Sequence, residues 1–305
     1  MNIESLSIGV ICGGYSNERE ISLKGAEAVN KALIVGGFNS KIIDIKTPKS
    51  LKNKETYKNI DFAFIMIHGK GGEDGEVQKV LKKLNILFSG STDIGLQNSF
   101  DKVLTKELWI KKDIKTPKYI TNVKSWNDLP NYFKKLSKLV IKPSKEGSSI
   151  GVSIINNNLE AFEEAITHAK KFEGVPMIEE FISGRELTVS ILGNLICDPI
   201  KITAKQDFYN YEAKYNSKDT SYEFINLEEQ KLKDLKESCK KAFETLGCSK
   251  WGRVDLIESE KEFFFIEVNT VPGMTETSLV PKSAKNEGLS FLKLILKIIK
   301  DSIEN

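Results

Sequence analysis

The chain has 305 residues, 40% hydrophobic and 29% charged, with a net charge of +3. That is enough apolar material for a large core and two or three domains. The balanced, scattered charge leaves no footprint for a nucleic-acid partner, and no apolar run nears the roughly 18 residues a membrane span needs.

The N-terminal stretch MNIESLSIGVICGG lacks a basic start and reads as a first strand rather than a secretory signal. Cys12, Cys197, Cys239 and Cys248 show no C-x-x-C spacing and only His68 and His168 accompany them, which disfavours zinc. Reduced thiols in a cytoplasmic enzyme are the expectation.

Residues 1 to about 98 alternate strand and helix signals. LSIGVICGG reads as a buried strand ending in glycines. NEREISLKGAEAVNKAL follows as a helix, with Asn17 as N-cap and Glu20 three residues on. FNSKIIDI and IDFAFIMIHG are further strands, and EDGEVQKVLKKLN is helical. This βαβ pattern predicts a parallel sheet with helices on its faces. Ligands of such sheets sit beyond the strands' C-terminal ends, so Glu18 and His68 become candidates.

The pattern changes near residue 99. FDKVLTKELWIKKD is predicted helical and TPKYITN extended. KLVIKP and GVSIINN flank the loop SKEGSSI, followed by the helix LEAFEEAITHAKKF and the strand PMIEEFI. A third unit begins near 186. It holds LTVSILG, a polar stretch at 201–226, a helix near 228–246, the hairpin GRVDLIESEKEFFFIEV and a final amphipathic helix. The expected domains are 1–98, 99–185 and 186–305.

Three clusters carry chemistry. In the hairpin, a turn centred near residue 260 or 261 pairs odd residues with odd ones. Arg253, Asp255, Glu267 and Asn269 then share one face, with Val254, Leu256, Phe264, Ile266 and Val268 on the other. Two carboxylates and an amide oxygen without histidine or cysteine suit Mg²⁺. A solvated edge strand is the competing reading of E-x-N alone; the matching register of Asp255 and Arg253 favours the metal. The second cluster is VIKPSKEGSSIGV, where a strand ends at Lys142 and runs into small residues, Gly147, Ser148, Ser149 and Gly151, whose backbone can approach phosphate. It lacks the G-x-x-x-x-G-K-[ST] pattern, and a plain hairpin loop competes with the phosphate reading. The third is IEEFISGRELTV, where Glu179 and Glu186 could serve a nucleoside, although composition alone does not reveal it.

These clusters, with GGYSNEREISL, HGKGGEDGEVQ, DKVLTK, DFYNYEAKY and EVNTVPGMTETSLVP, follow one another in an order that resembles the D-alanine–D-alanine ligase family of ATP-grasp enzymes nearly end to end. The resemblance implies an α/β and α+β architecture: an N-terminal parallel-sheet, Rossmann-like domain, a central lid and a C-terminal antiparallel-sheet catalytic domain. It implies ATP and two Mg²⁺ (with Mn²⁺ as a substitute), D-alanine as substrate, a homodimer through the N-terminal region, and no nucleic acid or membrane partner. It also implies roles. Lys102, Lys142, Ser149 and Lys214 would hold ATP phosphates. Glu179, Glu186 and the Glu180, Phe181 and Ile182 backbone would contact the nucleoside. Asp255, Glu267 and Asn269 would hold the metals. Glu18, steadied by Ser148 and Tyr215, would pair with the first substrate's ammonium, and His68 would lie near its carboxylate. Arg253 and Gly273 N–H would stabilise an oxyanion, and Ser278 and Leu279 would bind the second substrate's carboxylate.

Within that resemblance the EAKY segment implies an amine nucleophile over a hydroxy acid, while D-serine as second substrate, or another ATP-grasp carboxylate–amine pair, stays open. The polar 201–226 stretch is too long for an ordinary connection and is expected to cover the substrates. Phe100 and IKITAK are departures that touch no assigned role.

Overall fold

A computed structural model describes residues 2–203, 220–260 and 262–304. Its first sheet has four parallel strands in the order β2-β1-β3-β4, where β1 is Ile8–Gly13, β2 Ser40–Ile45, β3 Phe62–Ile65 and β4 Leu87–Phe88. Every residue of β1 is buried, as its unbroken apolar run requires of a strand covered on both faces. The helix Arg19–Val35 lies on one face and buries Ser22, Gly25, Ala26, Val29 and Leu33, a stripe at helical spacing. It starts one residue later than the sequence suggested. Glu18, not Asn17, is the N-cap, and its side chain makes no capping bond. The carboxylate is drawn away by a long-range partner described below.

The second sheet is antiparallel, in the order β5-β8-β6-β7: Tyr119–Thr121, Pro176–Glu180, Lys138–Pro143 and Ser153–Asn156. The third, also antiparallel, has the order β12-β11-β9-β13-β14, with a short β10 on β9. Its strands are β9 Arg185–Leu192, β10 Leu195–Ile196, β11 Ile200–Thr203, β12 Ser221–Phe224, β13 Trp251–Glu258 and β14 Phe263–Asn269. Its inner face packs Leu187, Val189, Val254, Leu256, Phe265 and Val268 against Leu235, Cys239, Ala242 and Phe243 of the helix Glu229–Thr245. Trp109, from the helix Lys102–Ile110, joins this core and donates its indole N–H to Ala242 O at 2.9 Å. The mixed α/β and α+β expectation holds.

Two sequence readings change. The hairpin register pairs Arg253 with Asn269 and Asp255 with Glu267 as expected, but shifts by one between Asp255 and Leu256. Leu256 faces Phe265, so Ile266 is the extra residue of a bulge. Phe265 is therefore buried in the core, while Phe264 and Ile266 are only partly buried. The stretch FDKVLTKELWIKKD is not one helix from Phe100. A separate helix, Asp93–Phe100, precedes it, and Asp101 caps the next by accepting from Val103 N at 3.0 Å and Leu104 N at 3.4 Å. No helix among the described residues is long and apolar enough to cross a membrane.

The final helix, Phe291–Ile303, buries Leu294, Ile295, Ile298 and Ile299. They enter the core that holds Ile8, Val10, Phe62, Phe64, Val29 and Leu33, so the last helix packs on the first sheet. Replacing Ile295 by Ala leaves a cavity in that core and is expected to destabilise the protein by about 3 kcal/mol, read as a fall in the urea unfolding midpoint. An unchanged midpoint would mean that the helix is not integral to the first unit.

Candidate active site

Two cavities of about 590 and 380 Å³ adjoin. Residues from all three stretches line the larger, among them Glu18, His68, Ser148, Arg253, Gly273 and Ser278, with Leu279. The smaller lies between the second and third sheets and is lined by Lys142, Ser149, Glu179, Ile182, Glu186 and Asp255, among others. Lys102, Glu146 and Glu267 line both, so a group on that wall reaches either side.

β14 brings Glu267 to the shared wall, and β13 stands beside it. Asp255 and Glu267 are cross-strand partners, and side chains so placed lie on one face. Two adjacent carboxylates repel, and the structure answers with cations. Arg253 grips Asp255 through Nε to Oδ1 at 2.8 Å and Nη2 to Oδ2 at 2.7 Å, and the Thr188 hydroxyl donates to Oδ1 at 2.6 Å. Lys102 Nζ stands 3.5 Å from Glu267 Oε2 and donates to Glu146 O at 2.5 Å. Asn269 Oδ1 is buried with no hydrogen-bond partner. Among the described residues no three or more carboxylate, imidazole or thiol groups converge. What shares one face of the hairpin is two carboxylates and an unsatisfied amide oxygen. Such a set leaves coordination positions to phosphate and water, the habit of Mg²⁺.

The loop after β6 supplies the second element. Ser148 and Ser149 both have positive φ, 50° and 60°. Non-glycine residues rarely adopt this region, and holding two in succession there concentrates strain at one place. Lys142, at the end of β6, is buried, and its Nζ lies 2.7 Å from Glu179 Oε2. Lys106 Nζ lies 2.8 Å from Glu179 Oε1. Glu179 thus engages two lysines, partners that the sequence reading did not foresee, while it lines the smaller cavity. Burial alone would raise its pKa, but Lys106 and Lys142 outweigh that and hold it below the usual carboxylate range. Burial pulls Lys106 down to about 8, with Glu179 opposing. Lys106 was missed, although it sits one turn beyond Lys102 on the same helix. Glu180, Phe181, Ile182 and Glu186 line the same cavity, joined by Ile266, which the bulge turns toward it.

The larger cavity centres on Glu18, which is buried and accepts a hydrogen bond from the Ser148 hydroxyl. This contact joins the first unit to the loop of the second. Glycines make room for it: a Cβ on Gly69 would stand 2.9 Å, and one on Gly147 3.0 Å, from Glu18 Oε2. His68 is buried, its Nε2 lacks a partner, and burial lowers its pKa against the opposing pull of Glu18. Glu73, not singled out from its GGEDG setting, accepts from Gly69 N at 2.8 Å and Val271 N at 3.3 Å. Burial and then Glu18 raise its pKa. It ties the His68 loop to the segment leading to Gly273. Ser278 Oγ accepts from Thr275 N at 3.1 Å and would lie 3.2 Å from a Cβ on Gly273. Lys214 and Tyr215 lie outside the described residues.

Comparisons with known proteins cover the chain nearly end to end. Residues 39–91 match the family described as D-ala D-ala ligase N-terminus, and residues 94–300 the family described as D-ala D-ala ligase C-terminus. The D-alanine--D-alanine ligase of Pseudoalteromonas translucida is 37% identical over 306 residues, covering 99% of either chain. A crystal structure of D-alanine--D-alanine ligase from Bacillus anthracis complexed with ATP superposes with a TM-score of 0.84 at 30% identity, over 98% of both chains. The VanG D-Ala:D-Ser ligase from Enterococcus faecalis gives 0.82 at 26% identity, over 97% of this chain and 98% of that one.

His68 generates a pH expectation. Its folded pKa lies below the ordinary 6.5, so the unfolded chain takes up a proton first as pH falls. The stability it contributes is present above 6.5 and lost on acidification. Unfolding free energy is expected to drop between about pH 7 and about pH 5, and to drop less steeply in His68→Gln. Equal slopes in urea titrations of both proteins would show that His68 takes up its proton alike in the folded and unfolded chain.

Proposed function

The chain belongs to the D-alanine–D-alanine ligase family of ATP-grasp enzymes, and from that membership we propose that it joins two D-alanines at the expense of ATP, as a step toward peptidoglycan precursors. The observation that carries the proposal is the wall common to both cavities. Lys102 and Glu267 stand between a nucleotide-sized chamber and a chamber built for zwitterions.

ATP enters the smaller chamber. Lys102, Lys142 and the Ser148–Ser149 loop hold its phosphates, and the Glu180–Ile182 backbone and Glu186 hold the nucleoside. Glu179 acts mainly through Lys142, whose ammonium it keeps in place. Lys214 would reach the phosphates from outside the described residues. The donor set of Asp255, Glu267 and Asn269, with its unsatisfied amide oxygen, fits two Mg²⁺, with Mn²⁺ as substitute. Bound there, the metal ions offset charge on the phosphates during transfer.

Glu18, held by Ser148, pairs with the first D-alanine's ammonium; the role that the resemblance implies for Tyr215 falls outside the described residues. His68, neutral at the chamber floor, flanks its carboxylate. A carboxylate oxygen attacks the γ-phosphorus and ADP departs, leaving an acyl phosphate. The second D-alanine, its carboxylate at Ser278 and Leu279, then attacks through its amine. Arg253 and Gly273 N–H receive the oxyanion, and phosphate leaves as the peptide bond forms. Residues 1–98 serve as substrate-binding unit, 99–185 as lid and 186–305 as catalytic unit, in a cytoplasmic homodimer.

Phosphate release with D-alanine, L-alanine, D-lactate and D-serine in turn tests the reading. Release dependent on D-alanine alone is expected, release requiring an L-amino acid would reject it, and faster release when D-serine accompanies D-alanine would move it to D-alanine–D-serine ligation. Glu267→Gln, which removes charge from an open wall, is expected to lower turnover about a hundred-fold or more while circular dichroism stays unchanged. Full activity in that variant would take Glu267 out of the mechanism.

A further inference from the structure

We infer that Lys282 is a specificity residue for the second amino acid: its ammonium receives that substrate's carboxylate together with Ser278. The inference rests on the ligase reading above and adds a residue to it. The helix Leu279–Asn286 starts at Ser278, and Lys282 N donates to Ser278 O at 3.0 Å. Residues three and four apart lie on one helical face, so Lys282 stands one turn beyond Ser278 and Leu279. All three line the larger cavity.

Among the described residues the ammonium is held but not neutralised. Lys282 Nζ sits 4.1 Å from the centroid of the Tyr222 ring on β12, which attracts a cation through its face without supplying a counter-charge. The other cations of the catalytic wall are matched: Arg253 with Asp255 and Lys102 with Glu267. Lys282 makes no ion pair among the described residues, and partial burial lowers its pKa. Lys24 also lines the cavity without an ion pair, yet it is exposed on the helix Arg19–Val35. A half-buried, ring-oriented ammonium beside a hydroxyl and the first turn of a helix suits a carboxylate. Anchoring there fixes the acid end of the acceptor and leaves its amine free to reach the activated carbonyl.

The test separates acceptor binding from everything else. D-alaninamide has no carboxylate to activate, so it can serve only as acceptor opposite D-alanine. With the unaltered protein, D-alanine is expected to be the better acceptor. In Lys282→Met the KM for the second D-alanine is expected to rise about ten-fold, with ATP affinity unchanged. The preference for acid over amide should shrink by a similar factor and return in Lys282→Arg. An unchanged second KM, or an undiminished acid preference in Lys282→Met, would overturn the assignment. Intact ATP binding in both variants confirms that they fold. If the unaltered protein released no phosphate with D-alanine, the ligase reading itself would fall, and this inference with it.

Discussion

One strand pair has to show charge to one side and apolar surface to the other while two carboxylates stand opposite each other. Asp255 and Glu267 meet across β13 and β14 on a wall, where unpaired charge is costly. The Arg253 fork, the Thr188 hydroxyl and Lys102 meet that cost. The bulge at Ile266 meets the other demand. Without it, a strict alternation would send Phe264 and Ile266 to the core. With it, Phe265 fills the core, and Ile266 and Glu267 both face the smaller cavity. Core, carboxylate face and the wall of the smaller cavity are thus set by one residue of register.

The surrounding charges come from distant parts of the sequence. Glu179 on β8 meets Lys142 on β6 and Lys106 on a helix, all three buried. A triad of that kind is stable only while complete, because removal of one member strands another in low dielectric. Glu18 comes from the first unit to meet Ser148, whose strained conformation persists because neighbouring contacts over-determine it. The first unit, the loop and the wall therefore have to dock together before any of them is complete.

Much of this was legible in residue order. Period-2 and period-3.6 patterns placed the main strands and helices, and parity alone put Arg253, Asp255, Glu267 and Asn269 on one face. What stayed hidden depended on partners far along the sequence. Nothing near Glu179 announces two lysines, and Asn17 looks the better cap until Ser148 claims Glu18. The bulge was hidden because three phenylalanines in succession are equally apolar whichever one turns inward. The short helix Leu279–Asn286 carries Lys282, which the sequence reading did not single out.

The docking of Phe291–Ile303 on the first sheet has a consequence for biosynthesis. On the ribosome, the strands through Phe88 emerge long before that helix is translated. Until then Ile8, Val10 and Phe64 have only part of their cover, that given by the helix Arg19–Val35. Vectorial synthesis, which usually lets leading domains close first, here leaves the leading sheet waiting. Chaperones that shield nascent apolar surface would meet this sheet through most of elongation.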